Sequence, residues 1–259
     1  MNTRTATSPH IHDDIDAIAA EQRNLEPNTS GQSVNLRAAG LAIVVSAIVS
    51  IVAIALDSGA SGNDALSIMK SMIKIQQSHQ LAHVVAMACL GGLMYGYTAF
   101  SQRLGLHRAP VMAALIVYGL GTVLMFLGTI IDGFVATDTA LMFVDQAPDL
   151  LKTGFWMIQT MAGVVLIDLA KVAWVLQSIA VLFWAVALLQ ERGLKRAIGV
   201  FGLVVGALPA ITVFVVGSAM TDMVVVGILM MQAVWNIAAA TLLLLIEKQD
   251  KQNLRALSA

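Results

Sequence analysis

Long apolar runs separated by polar segments are the dominant pattern of the chain from residue 36 onwards. A helix needs about 20 apolar residues to cross roughly 30 Å of hydrocarbon. Inside lipid such a run must be helical, because a single helix satisfies its own backbone groups. The pattern therefore predicts an all-α, polytopic integral membrane protein with six spans. The apolar runs are Leu36–Leu56, His79–Phe100, Val111–Ile131, one within Phe155–Leu189, Ala197–Ala219 and Met223–Ile246.

The fourth run is longer than one crossing requires, and Asp168 and Lys171 interrupt it. Its first part, Phe155–Ile167, is 13 residues long, which suits an interfacial or re-entrant helix better than a crossing. Counting it as a seventh span would also put the basic residues after Leu189 on the side opposite to Arg103 and Arg108. Six spans is therefore the better count, and interfacial and re-entrant placement both stay open.

Basic residues follow spans two, four and six, so all these clusters share one side of the membrane. By the positive-inside rule that side is the cytoplasm. We expect a multi-pass protein of the plasma (inner) membrane with both termini cytoplasmic. The predicted organisation is a polar, largely disordered tail over residues 1–35, a transmembrane domain over 36–247 and a short tail over 248–259.

The two long connections fall on the other, outer side. Asp57–Gln77 and Gly133–Lys171 both contain apolar residues at helical spacing. Such stretches are typical of helices that lie at a membrane surface. The prediction is a six-span bundle with two interfacial helices on its outer face, which form a lid. A functional site is expected beneath that lid.

Composition agrees with a lipid environment and excludes several classes of protein. Hydrophobic residues make up 58% of the chain and charged residues 12%, against about 25% charged in soluble domains. No basic run suggests nucleic acid, and no nucleotide or flavin motif is present. The single cysteine, Cys89, excludes an internal disulfide and a paired-cysteine metal site. The expected partners are the lipid bilayer and either another membrane protein or further copies of the chain.

His79 and His83 are the strongest candidates for chemistry. Four residues apart, they lie on one helix face about 6 Å apart along the axis. Ionisable residues at membrane depth are costly and usually mark function. Asp132, at the outer end of span three, could complete a site for zinc, copper or iron. Haem fits poorly, because no second span offers a histidine at matching depth.

Four further polar residues belong to the same half of the bundle or to its middle, and we interpret them as a pathway or as helix contacts. They are Asp57, Gln177, Gln232 and Asn236. Three hypotheses follow: a membrane metal-binding protein or metalloenzyme, a small-solute or proton-coupled transporter, and a non-catalytic subunit or scaffold of a larger complex. The residues leave open whether the protein is an enzyme.

Overall fold

The computed structural model describes residues 35–57, 59–217 and 221–258. Within these ranges all regular structure is helical. The helices are α1 (Leu36–Leu56), α2 (Ala65–Leu104), α3 (Ala109–Ile130), α4 (Thr137–Phe143), α5 (Pro148–Thr160), α6 (Leu166–Leu189), α7 (Leu194–Val216) and α8 (Asp222–Ser258). Two π-helical segments join neighbours without a break: Ile131–Ala136 between α3 and α4, and Met161–Val165 between α5 and α6.

Six helical units are long and apolar enough to cross a membrane, which confirms the number of spans predicted from the sequence. The third unit is Ala109–Phe143 and the fourth is Pro148–Leu189. Phe155–Ile167 is therefore part of one continuous helix that includes the fourth span.

The spans are arranged as a ring in chain order. α1 packs against α2, α2 against α3, α3 against α6, α6 against α7, and α7 against α8. α8 then packs back against α1, which closes the ring. Short connections between antiparallel neighbours favour this order, because consecutive helices can pack as soon as they form.

Buried aromatic side chains fill the ring at one level. Tyr97, Trp184 and Trp235 are at most 1% exposed. The rings of Tyr97 and Trp184 stack with centroids 4.6 Å apart and planes 13° apart. The backbones of α1 and α2 approach closely here because Gly96 has no side chain; a Cβ atom there would lie 2.3 Å from Cγ1 of Ile43.

The second, third and fourth helical units are longer than one membrane crossing requires, and their excess length forms an extension at one end of the ring. α2 has 40 residues, about 60 Å at 1.5 Å per residue, which is twice the hydrocarbon thickness. The extension has its own small core, in which Met69, Ala136, Ala140 and Ile158 from α2, the first π segment, α4 and α5 pack together. Residues 144–147 form the turn between α4 and α5 at its tip.

The two interfacial helices predicted on the outer face fall within this extension. The apolar stretches assigned to the lid are helical continuations of spans two and four, and they pack against each other. Their apolar faces meet in the small core described above. At the C-terminus, α8 continues to Ser258, through the segment assigned to a short tail. The N-terminal tail lies outside the described residues, apart from Asn35.

Arginine side chains hold the opposite end of the ring together. We call this region the arginine end and define it by Arg103, Arg108 and Glu191. The Arg108 guanidinium donates to the carbonyl oxygens of Leu104 (3.2 Å) and Ala187 (2.7 Å). It also pairs with the Glu191 carboxylate at 3.1 Å. Arg103 pairs with Asp250 at 3.0 Å on the exposed surface. Arg108 thereby links the ends of α2 and α6, and Arg103 links α2 to α8.

The charges around Glu191 act on its protonation. Partial burial raises the pKa of this carboxyl, but the hydrogen bond and charge of Lys195 and the charge of Arg108 outweigh it. The net result is a pKa below the ordinary value of 4.5. Glu191 is therefore ionised, and its charge is matched by the two cations.

Candidate metal centre

Three chain segments meet at the base of the extension, a region that we call the histidine end. α1 stops at Leu56 and leaves Asp57 at its end. His79 and His83 lie near the middle of α2, and Asp132 lies in the π-helical segment after α3. The sequence grouped these residues by depth, and the structure brings all four side chains together.

The two histidine side chains face the same side of α2, as their spacing predicts. Their ring centroids are 4.3 Å apart and their planes are tilted by 53°. Each side chain is 12% exposed, while those of Asp57 and Asp132 are 20% and 34% exposed. The cluster is thus largely enclosed, with its carboxylates more accessible than its imidazoles.

Every ring nitrogen of the pair faces an oxygen atom. His79 Nδ1 lies 2.8 Å from Oδ1 of Asp57, and His79 Nε2 lies 3.3 Å from the carbonyl oxygen of Asp132. His83 Nδ1 lies 2.9 Å from the carbonyl oxygen of His79. His83 Nε2 lies 3.1 Å from Oδ2 of Asp132. One nitrogen of each ring therefore meets a backbone carbonyl, and the other meets a carboxylate.

This division determines which nitrogen is available for a ligand. A backbone carbonyl can only accept, so His79 Nε2 and His83 Nδ1 carry the protons that these contacts require. The remaining nitrogens, His79 Nδ1 and His83 Nε2, can either carry a second proton and pair with a carboxylate or offer a lone pair to a metal. Histidines that bind metals are commonly oriented by such a second hydrogen bond.

The site that could hold a metal differs in one residue from the set proposed from the sequence. One ligand atom each from Asp57, His79 and His83 lies within 4.8 Å of the other two. Asp57, which the sequence interpretation assigned to a pathway or a helix contact, joins the histidines because α1 ends beside α2. The carboxylate of Asp132, proposed as the third ligand, instead pairs with His83 Nε2.

The π-helical segment explains how Asp132 contacts both histidines. A π turn widens the helix and disturbs its regular hydrogen bonds, and such turns often occur at functional sites. The carbonyl of Asp132 accepts from His79 while its carboxylate reaches His83. The next residue, Gly133, permits the close approach, because a Cβ atom there would lie 2.6 Å from Cβ and Cγ of His83. A π turn has no clear sequence signature, so this arrangement could not be foreseen.

A cavity of about 290 Å³ opens from the histidine end into the ring. Asp57, His83 and Asp132 line its mouth, and Cys89 lines its wall. The cavity continues to polar residues deep in the bundle, which include Gln177, Gln232, Asn236, Tyr97 and Trp235.

Two hydrogen bonds join the deep polar residues across helices. Gln232 Nε2 donates to Oε1 of Gln177 at 3.0 Å. The Tyr97 hydroxyl donates to Oδ1 of Asn236. The three amide side chains identified in the sequence thus make helix contacts and also line the cavity. The contributions of Tyr97 and Trp235 were not anticipated, since aromatic residues within spans are common in membrane proteins.

The chain matches no family model, no curated protein and no solved structure.

Proposed function

We propose that this membrane protein binds a divalent transition-metal ion, zinc, copper or iron, through His79, His83 and Asp57. The observation that supports the proposal is the cluster itself, in which two imidazoles and a carboxylate converge while each imidazole is held by a backbone carbonyl. Imidazole and carboxylate together are an ordinary ligand set for these metals. The Asp132 carboxylate, 3.1 Å from His83 Nε2, would balance part of the charge of the ion, while the His79 carbonyl orients the His83 ring.

The cavity adds a functional expectation to this site. Three protein ligands leave a coordination position open, as in catalytic zinc sites. Asp57 and His83 both line the cavity, so the open position would face it. A water or solute molecule in the cavity could then reach the ion.

The experiment measures metal binding by the purified protein in mild detergent, after chelator treatment and addition of Zn²⁺. His10 and His12 are replaced by alanine throughout, because the run His-Ile-His-Asp-Asp near the N-terminus could bind metal by itself. We expect one ion per chain. Asp132→Asn should weaken binding by about tenfold, because it removes a negative charge beside the ion; an electrostatic contribution of about 1.4 kcal/mol corresponds to that ratio.

Asp57→Asn and His79→Ala should weaken binding more than Asp132→Asn, because they remove direct ligands. His107→Ala is the matched control, since it removes a histidine near the arginine end and should leave binding unchanged. Absence of stoichiometric zinc in the parent protein would contradict the proposal. Equal binding by the parent and by Asp57→Asn would contradict the ligand set.

A second candidate function is a small-solute or proton-coupled carrier, which the extent of the cavity favours. The cavity runs from Asp132 at its mouth to Asn236 deep in the ring, and Cys89 lines it between them. A carrier exposes its cavity to each side in turn. Cys89, the only cysteine, should then react with a membrane-impermeant thiol reagent from either side of an oriented vesicle; reaction from one side alone would contradict this function.

A further inference from the structure

Helices α1 and α8 lie close together near the arginine end of the ring. A Cβ atom at Gly40 of α1 would lie 3.2 Å from the carbonyl oxygen of Ala240 of α8. Residues seven positions apart lie on nearly the same face of a helix, so this contact begins a series of facing residues on each helix. The two series are Gly40, Ala47 and Ile54 on α1, and Ala240, Ala233 and Val226 on α8.

Exposure rises along both series toward the histidine end. Ala47 and Ala233 are buried, whereas Ile54 is 53% exposed and Val226 is 49% exposed. The whole of α1 shows the same trend, since none of its residues from 48 to 56 is buried. The two helices therefore diverge and leave a gap between them at this end.

The gap is not a general loosening of the helix ends. On α8, Ile228 lies only two residues from Val226 and is 3% exposed. It belongs to a buried cluster with Trp174 of α6 and Val213 of α7. At the level of the gap α8 therefore stays packed on α6 and α7, while its other side, toward α1, is open.

The gap joins the cavity that opens at the histidine end. Ile54, although more than half exposed, lines the cavity, and so do Ala47 and Ala233. The cavity thus has a side opening between two of the six apolar helices. In a bilayer, lipid acyl chains surround such helices, so the molecules nearest to this opening would be lipids.

The walls of the cavity change from polar to apolar below its mouth. Asp57, His83 and Asp132 lie at the mouth. An amphiphile with a polar head group and an apolar chain matches this order. A volume of about 290 Å³ is at the lower limit of ligand pockets, roughly 300–1,000 Å³, and so indicates a single chain. The side chains between the mouth and the deep amides are mainly apolar and include Ile51, Ala86, Leu90, Leu93 and Leu229.

The charges at the mouth restrict the head group. The carboxylates of Asp57 and Asp132 are both partly exposed. A phosphate head group would be repelled by two negative charges at this distance. A hydroxyl group can instead donate a hydrogen bond to an ionised carboxylate, and such a bond is stronger than one between neutral groups. The mouth therefore favours an uncharged head group that carries hydroxyls.

We propose that the cavity binds a single-chain lipid with an uncharged, hydroxylated head group, which enters through the gap between α1 and α8. The head group would lie at Asp57 and Asp132. The chain would follow α2 as far as Leu93, which is ten residues beyond His83 and about 15 Å further along the helix. This inference rests on the gap and on the membrane environment of the six helices, and not on the proposed metal site.

The test uses two photoreactive lipids with the same chain, a monoacylglycerol and its phosphate ester, each with a diazirine at the end of the chain. They are added to phosphatidylcholine vesicles that contain the full chain and a chelator, so that failure of the metal site cannot affect the result. After illumination, mass spectrometry locates the label. Leu93, which is 9% exposed and lines the cavity, reports on the cavity. Leu120 of α3, which is 56% exposed, reports on the surrounding lipid.

We expect the monoacylglycerol to label Leu93. Its phosphate ester should label Leu93 about tenfold less, relative to Leu120, because the two carboxylates repel it. Ala86→Phe should lower labelling of Leu93 by the monoacylglycerol about tenfold, since the phenyl ring occupies the space of the chain. Ala88→Phe is the matched control on α2, because Ala88 is exposed, and it should behave as the parent protein.

If Ala86→Phe does not fold, Ala53→Phe and Ala55→Phe on α1 serve as the same pair, since Ala53 lines the cavity and Ala55 is exposed. Label confined to exposed residues such as Leu120 would overturn the proposal, because the gap would then be closed to lipid. Equal labelling of Leu93 by the two probes would overturn the assigned head group. An equal loss of label in a cavity variant and its control would overturn the cavity as the binding site.

Discussion

The two ends of the six-helix ring hold their charged groups in different ways. At the arginine end the Arg108 guanidinium binds two carbonyl oxygens and a carboxylate. At the histidine end two imidazoles meet two carbonyls and two carboxylates. A guanidinium is permanently charged and only donates, whereas an imidazole can be neutral and offer a lone pair. The arginine end is suited to joining helices, and the histidine end is suited to exchanging a ligand.

The surroundings of the charged groups also differ between the two ends. Arg108 binds the final carbonyls of α2 and α6, groups that a helix end leaves without partners. His83 and Asp132 instead line the mouth of a cavity. At the arginine end the polar contacts therefore join helices. At the histidine end a similar number of polar contacts surrounds the entrance to a cavity.

The largest effect is expected at the arginine end, from Arg108→Ala. The substitution leaves two helix-end carbonyls without their donor and leaves Glu191 paired with Lys195 alone. The Arg108 side chain is only 19% exposed. We expect the free energy of unfolding to fall by roughly 3 kcal/mol. Thermal unfolding in detergent measures the loss, and zinc binding by the folded fraction should remain that of the parent protein.

Arg103→Ala is the control for Arg108→Ala. Its ion pair with Asp250 is about half exposed on both sides, and such pairs contribute about 0–1 kcal/mol. A loss as large as that of Arg108→Ala would show that surface charge, and not the binding of helix-end carbonyls, stabilises this end.

Gly133→Ala is expected to have the next largest effect, now at the histidine end. The added methyl group would lie 2.6 Å from His83, so the π segment and α2 must move apart. Overpacking of this kind costs about 1–3 kcal/mol. We also expect zinc affinity to fall by about tenfold, because His83 loses its position relative to Asp57 and Asp132. Isothermal titration and thermal unfolding give the two quantities.

The matched control is Gly91→Ala on α2, where an added Cβ meets no atom within 4 Å. It should leave zinc affinity unchanged and stabilise the helix slightly, by about 0.5–1 kcal/mol. Unchanged zinc binding in Gly133→Ala would show that the close contact of this glycine with His83 is not needed for the site.

The six spans could be predicted from the sequence, because lipid imposes a simple rule on apolar runs. For the first span, for example, the hydropathy pattern and the structure give the same first and last residues, Leu36 and Leu56. The extension could not be predicted in the same way. Whether residues 65–78 lie flat or continue span two depends on the apolar faces of α4 and α5 that pack against them, and such tertiary contacts are not local in sequence.

Part of the candidate site could also be predicted from the sequence. Helical spacing puts His79 and His83 on one face whatever the rest of the fold. The choice between Asp57 and Asp132 depends on how the end of α1 packs beside α2 and on a π turn, and neither has a reliable pattern in sequence. The cavity depends on the ring order of the spans, since Tyr97 and Asn236 are 139 residues apart and meet only when α8 closes the ring.

The smallest effect is expected from acid at the arginine end. Because Lys195 and Arg108 keep the pKa of Glu191 below its ordinary value of 4.5, the ionised carboxylate stabilises the folded state. That contribution is complete above the unfolded-state pKa and is lost as the pH falls through the lower folded-state pKa. The Glu191 side chain is 33% exposed, so a contribution of about 0–1 kcal/mol is expected. The measurement is thermal unfolding of the parent and Glu191→Gln proteins between about pH 3 and pH 7. The free energies of unfolding of the two proteins should differ at neutral pH and converge as the pH falls below about 4.5. Curves that stay parallel through this range would mean that the ion pairs of Glu191 do not contribute to stability. Arg108 would then join the helices through its neutral acceptors, the carbonyls of Leu104 and Ala187 and the side-chain oxygen of Gln190.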